Sequence, residues 1–166
     1  MRRHIAALAW IGAACCVLLA GAAESPIPVA VFDIALIDTT PGQSTPAERD
    51  RARALGRQLR EAFARSGRYR LVDLTPETAA LDLRRCNGCE LSAAREAGAR
   101  RTVIAWVHKV SNLILNINLE IDDAATGARI RAGSVDIRGN TDESWDRGLR
   151  YLLENQILTD ESGKSD

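Results

Sequence analysis

Histidine is scarce in this chain, with two in 166 residues; methionine occurs once, and aromatic residues make up 4%. Neither charge dominates, because 22 basic side chains face 22 acidic ones. A nucleic-acid surface needs a clustered positive excess, so that class of partner is excluded. Prolines stop at Pro76, and no G-x-S-x-G or G-x-G-x-x-G run occurs. The nucleophile elbow of a hydrolase and the dinucleotide-binding fingerprint are therefore both missing.

What is present begins with a leader. "MRRHIAALAWIGAACCVLLAGAA" carries Arg2 and Arg3, an apolar run from Ile5 to Ala20, and small residues at Ala20 and Ala22. That order is the charged, hydrophobic and cleavage region of a secretory signal peptide, expected over residues 1–23 with cleavage near Ala22 and Ala23. The run is nearly long enough to span a bilayer, but its small-residue end and the polar "ESPIP" favour cleavage over anchoring. Lipid attachment is disfavoured because "GAAC" at Gly12–Cys15 lacks the leucine of a lipobox; Cys15 and Cys16 then leave with the leader. Removing Arg2 and Arg3 leaves a small acidic excess. Removing His4 leaves His108 as the one histidine, and export places the remaining cysteines, Cys86 and Cys89, in an oxidising compartment.

The rest reads as one domain over residues 24–158, with 159–166 a disordered tail. "PVAVFDIALID" (Pro28 to Asp38) is a nearly unbroken β-branched run and is expected as a central strand buried on both faces. Thr45, Pro46 and Glu48 form a capping box that starts a helix with its apolar stripe at Ala52, Leu55, Leu59, Ala62 and Phe63, ended by Gly67. A short strand over Arg68–Leu74 and a turn or short helix at Thr75–Pro76 precede an Ala-rich helix that ends near Gly98. Strands follow at Thr102–Val110 and, with period-two alternation, at Leu113–Asp122. There Leu113, Leu115, Ile117, Leu119 and Ile121 take the packed face. Asp122 and Asp123 are expected to cap a turn into a returning strand, with Gly133 as its bulge. Asn140 or Thr141 caps a last helix whose stripe is Trp145, Leu149, Leu152, Leu153 and Ile157. The order β-α-β-(α)-α-β-β-β-α implies an α/β fold: a mixed sheet of about five strands, parallel early and antiparallel late.

"VAVFDIALID", "SGRYRLVD", the C-x-x-C ahead of an Ala-rich helix, "GARRTVIAWVHKVSNLILNINLEIDDAATG" and "GSVDIRGNTDESW" together resemble a family of small periplasmic proteins of unknown function from proteobacteria, classed with lipoproteins. The resemblance covers about Val29 to Leu158. On element order the chain also looks like the amino-terminal domain of TolB and related curli-secretion and penicillin-binding-protein-activator lipoproteins. What this implies is interaction in the cell envelope rather than catalysis.

"RRCNGCEL" can be tested option by option. Haem attachment needs histidine directly after the second cysteine, and Glu90 stands there. Structural zinc needs four ligands, which two cysteines and one histidine do not supply. Thioredoxin-like exchange is the rival that stays open, with Cys86 as nucleophile and Cys89 as resolving thiol. Against it, no proline follows the motif and no convincing strand leads into it. The expectation is a structural disulfide between Cys86 and Cys89. No catalytic residue, cofactor or metal site is expected. Two candidate contact surfaces stand out: the polar strand face of Asn116, Asn118 and Glu120, and the loop Asn140, Thr141 and Asp142 ahead of the last helix. Trp145 and Asp33 read as structural, and the arginines of the first helix as a solvated face. The function expected is a non-catalytic periplasmic interaction or assembly accessory with an envelope protein as partner. The alternative is a thiol–disulfide oxidoreductase.

Overall fold

A computed structural model describes residues 25–82, 85 and 87–159; the leader, Cys86 and the tail beyond Thr159 lie outside the described residues. The elements in chain order are β1 (Ile27–Val31), β2 (Ala35–Asp38), α1 (Pro46–Arg65), β3 (Tyr69–Leu71), α2 (Pro76–Ala79), α3 (Cys89–Glu96), β4 (Arg101–Lys109), β5 (Ile114–Asp123), β6 (Arg129–Arg138) and α4 (Asp142–Leu152). Helix α4 runs on into a π-helical turn, Leu153–Ile157, closed by the Leu158 N–H on the Leu153 carbonyl at 2.8 Å. The six strands form one mixed sheet in the order β3-β1-β4-β5-β6, with β2 beside β4. Strands β1, β2, β3 and β4 pair in parallel, while β4-β5 and β5-β6 are antiparallel, the mixture that the element order implied.

One expectation needs correction. The opening apolar run is not one strand but two, both laid along β4. Val31 is opposite Val103 and Ala35 is opposite Trp106, so Phe32–Ile34 holds one residue more than the stretch it faces. Such an insertion inverts side-chain alternation beyond it. Val29 and Val31 share a core with Leu36, and Asp38 is turned to that same inner side. Asp33 sits at the break, where it bonds Arg60 at 2.9 Å and gives its N–H to the Ala79 carbonyl.

Helices α1 and α4 cover one sheet face. Thr45 and Glu48 cap α1 reciprocally, as the capping box requires. The α1 side chains Leu55, Leu59 and Phe63 meet Val103, Val107, Leu115, Ile117, Leu119 and Ile121, all buried, together with the whole stripe expected on the last helix. On the other face a smaller cluster joins Ala30, Phe32, Ala94, Ala99 and Ala124 under α3. The outer part of that second face, across β4, β5 and β6, is half-buried or exposed.

Gly133 is not a bulge. It pairs in register with Leu119, and the irregularity lies where Ile121 faces Arg131 and Asp122 faces Arg129, leaving Ile130 over. Gly133 is needed for a close approach instead: a Cβ there would come within 2.7 Å of Gln156 Oε1 and 2.8 Å of Leu152 Cδ1. The Gln156 carboxamide uses that space to reach the outer edge of β6, where it accepts the Ser134 N–H and donates to the Ser134 carbonyl, both at 3.2 Å. Ser144 Oγ donates to the Arg138 carbonyl farther along. Side chains thus occupy parts of an edge that would otherwise invite another strand.

Gly148 is the second close approach. A Cβ on it would run into Ile137 Cγ2 and lie 3.2 Å from Ile117 Cδ1. Gly148→Ala is expected to lower stability by about 1–3 kcal/mol, the usual scale of overpacking, read from urea unfolding midpoints.

Candidate interaction surface

The inward turn of Asp38 has a chemical partner. In β4 the odd positions Val103, Ala105 and Val107 point into the core, and the next odd position is Lys109. Its ammonium lies 3.1 Å from Asp38 Oδ2 and 2.7 Å from Glu48 Oε1. The three side chains retain 7%, 7% and 2% of their exposure. Glu48 also accepts the Thr45 N–H at 2.7 Å and the Asn140 amide at 2.5 Å. Asn140 in turn accepts from Trp145 Nε1 and from Arg51. Bonds from Thr40 and Ser44 complete Asp38. One buried cation therefore ties the ends of β2 and β4, the first turn of α1 and the approach to α4.

The titration of these groups follows from those contacts. The Thr40 hydroxyl, with Lys109 helping, holds Asp38 down to about 2 against the opposing effect of burial. Burial pushes Glu48 up, but Lys109, the Thr45 amide and Asn140 overcome it and bring it to about 2. Glu48 and Asp38 together raise Lys109 despite its own desolvation.

Immediately beyond this brace the chain turns between β4 and β5, and here the surface is unexpected. Val110, Leu113 and Ile114 are 51%, 72% and 49% exposed. Leu113 does not join the packed stripe, because β5 begins at Ile114 and Leu113 falls in the turn. The turn is held nonetheless. Ser111 Oγ accepts the amides of Leu113 and Ile114, Val110 N–H bonds Ile114 O, and Gly139 N–H bonds Leu113 O. Three large apolar side chains are therefore displayed on an ordered tip, where fully burying an exposed one is worth about 1.5–3 kcal/mol and covering half of one about half of that.

The exposed sheet face continues from that tip. Alternation places Val110, His108 and Trp106 of β4 beside Ile114, Asn116 and Asn118 of β5. His108 Nε2 lies 3.3 Å from Thr39 Oγ1; since that hydroxyl already donates to the Lys109 carbonyl, the imidazole is the donor. Asn116 donates to Asp136, and Glu120 pairs with Arg129. Asn116, Asn118 and Glu120 thus lie together on the open face as the alternation implied. In the other candidate loop Asn140 belongs to the buried network, while Thr141, the cap of α4, and Asp142, paired with Arg51 at 2.5 Å, stay exposed. Asp123 caps the β5–β6 turn through the amides of Ala125 and Thr126, whereas Asp122 is buried on the face of Glu120 and pairs with the same Arg129.

Cys89 is disulfide-bonded and opens α3 behind Gly88; Cys86, expected as its partner, lies outside the described residues. Among the described residues no three of His, Cys, Asp and Glu converge as metal ligands would. Among them, too, no helix is long and apolar enough to cross a membrane.

The sheet and its helix layer place the chain in a class of small α/β domains known from bacterial proteins. The C-terminal domain of LpoB from Escherichia coli is similar at 18% identity and a TM-score of 0.52, over 71% of this chain and 87% of that one. PelC from Paraburkholderia phytofirmans, solved as a dodecamer, gives 15% and 0.54 over 78% and 87%. Lipoprotein GNA1162 from Neisseria meningitidis gives 12% and 0.50 over 70% and 84%. At such identities the likeness is one of fold. No curated protein sequence matches. The chain belongs to the family DUF3280, described as a protein of unknown function (DUF2380), whose model matches residues 28–157.

Lys109→Met tests the brace. Leaving two carboxylates buried without their cation should cost on the order of 3 kcal/mol at pH 7. The pH response should also change. In the parent chain, folded pKa values near 2 lie below the ordinary 3.8 and 4.5, so the stability they contribute is full above about pH 4.5 and is lost as pH falls toward 2. With the cation gone, the Thr40 bonds still hold Asp38 down, but Glu48 loses the strongest contact opposing its burial, so the gap in stability between variant and parent should narrow on acidification from pH 7 to 4. Urea midpoints at the two pH values read both effects.

Proposed function

We propose that this chain is a non-catalytic accessory of the bacterial envelope, exported by its leader, which docks a protein partner through the β4–β5 tip and the sheet face beside it. The carrying observation is the ordered display of Val110, Leu113 and Ile114. Apolar side chains left in water on an ordered turn stabilise nothing until something covers them. The leader-like residues 1–23 and the fold shared with a lipoprotein support an envelope location.

A photo-crosslinking amino acid at position 113, compared with one at the exposed Arg53 on α1, tests this in growing cells. The expected result is one discrete adduct from position 113 only, competed away by excess parent chain but not by a Leu113→Asp/Ile114→Asp variant. Surface changes of this kind leave stability within about 0.5 kcal/mol, so the variant should melt with the parent. Identical adducts from both positions, or none from 113, would sink the proposal.

The disulfide of Cys89 is read as a staple closed with Cys86. Joining residues so near in sequence constrains the unfolded chain little, by about 1–2 kcal/mol, and its role is to fix the start of α3. The expected reduction potential is below about −300 mV. A potential in the range of exchange enzymes, or a mixed disulfide trapped by Cys89→Ser, would favour the oxidoreductase reading instead.

A further inference from the structure

The helix layer carries a second unfilled surface, on the side of the sheet away from the open face. A groove runs between α1 and α4, made of two adjoining hollows of about 660 and 470 Å³ that share Gln58 and Asp146. Its α1 wall extends from Ala47 to Ala62, four turns or roughly 22 Å at the helical rise. Ala54 and Ala62 lie along that wall, and Leu158 closes one end, with Leu55, Leu149 and Leu153 buried beneath. Small side chains at the bottom of a groove between helices allow another helix to approach closely.

The two rims differ in charge. The α1 rim presents Arg51, Arg57 and Arg65 against the single acid Asp50. The α4 rim presents Asp142, Glu143, Asp146 and Glu154 against Arg150. Several of these charges are already used within the chain, as in Arg51–Asp142, Arg65–Glu61, Arg147–Glu143 and Arg150–Asp146. Among the described residues Arg57 and Glu154 have no ion pair, and they stand exposed on opposite rims. An occupant thus meets an apolar floor, one basic wall and one acidic wall.

We propose that this groove receives an amphipathic helix of a partner protein, with an apolar stripe flanked by acids on one side and bases on the other. Length and straightness select a helix over an extended peptide, because both walls are helical and no unpaired strand edge lines the groove. The acidic rim disfavours an anionic lipid surface. Opposite flanking charges are the pattern by which packed helices choose partner and direction. This inference does not depend on the sheet-face reading. If both hold, the domain grips one partner on each side of its sheet.

Three synthetic 18-residue helices with one shared Leu/Ala stripe test it on the full exported chain: Glu on one flank and Lys on the other, Glu on both, or Lys on both. Fluorescence anisotropy of labelled peptides reads affinity. The mixed helix should bind at least tenfold more tightly than either single-sign helix. Arg57→Glu leaves two arginines against two acids on the α1 rim, so the mixed helix should lose its tenfold advantage over the all-Lys helix. Ala54→Trp, which fills the floor, should abolish binding of all three; should it fail to fold, Arg57→Glu, on an exposed side chain, decides alone. Equal binding of the three helices, no binding, or indifference to Arg57→Glu would overturn the proposal. So would concentration-dependent dimerisation of the peptide-free chain that Arg57→Glu removes, since the groove would then hold a second copy. The Leu113→Asp/Ile114→Asp variant should bind the mixed helix like the parent, which separates this surface from the tip.

Discussion

An ammonium buried between two carboxylates is expensive to assemble, because each ion gives up its hydration and recovers it only if every remaining donor and acceptor is met. In this chain every carboxylate oxygen has a partner and the ammonium has two. Lys109 has two anions; Glu48 has a backbone amide and the Asn140 carboxamide; Asp38 has Thr40 and Ser44. The participants come from three separate stretches of sequence, so the network forms only when the parallel strands, α1 and the start of α4 are all in place. It stands where the parallel strands β2 and β4 end, a location that many α/β proteins use for ligands. Here the ends of the strands are sealed by side chains, and the proposed contact surface lies outward, on the turn that the seal supports.

That displacement links the network to the proposed function. A hairpin tip bearing Val110, Leu113 and Ile114 on a loose turn would collapse onto the nearest apolar surface. Ser111 ties the turn from within, Gly139 ties it to the end of β6, and Lys109 fixes the strand it grows from. The apolar side chains stay in solvent because the backbone below them has no freedom to withdraw them.

Much of the fold could be read from the residues because local rules and tertiary demands agreed. The capping box at Thr45, the alternation through β5 and the stripe from Trp145 to Ile157 each report one periodicity, and each packs as that periodicity requires. The proposed contact surface was legible only in part. Asn116, Asn118 and Glu120 were visible from alternation. Leu113 was assigned to the core because nothing local marks the residue at which a strand begins. The ion network left one faint trace, a lysine at the fourth inward position of β4, and its partners lie 61 and 71 positions earlier, Glu48 and Asp38, beyond the reach of any periodic pattern. The break at Phe32–Ile34 was hidden because an uninterrupted apolar run looks the same with or without one extra residue. Without that extra residue, Asp38 would face away from Lys109.

The clamps of Gln156 and Ser144 on β6 reach past the monomer. Two sheets can join in two ways: by lengthening, strand against strand at about 4.8 Å, or by stacking, face upon face at about 10 Å. The first grows without limit, since every added strand exposes a fresh edge. The second stops when the faces are used up. By spending a glutamine and a serine on the backbone of its last strand, and a glycine to let the glutamine in, this chain closes part of its β6 edge to the unbounded kind of growth and leaves the sheet face open to the bounded kind.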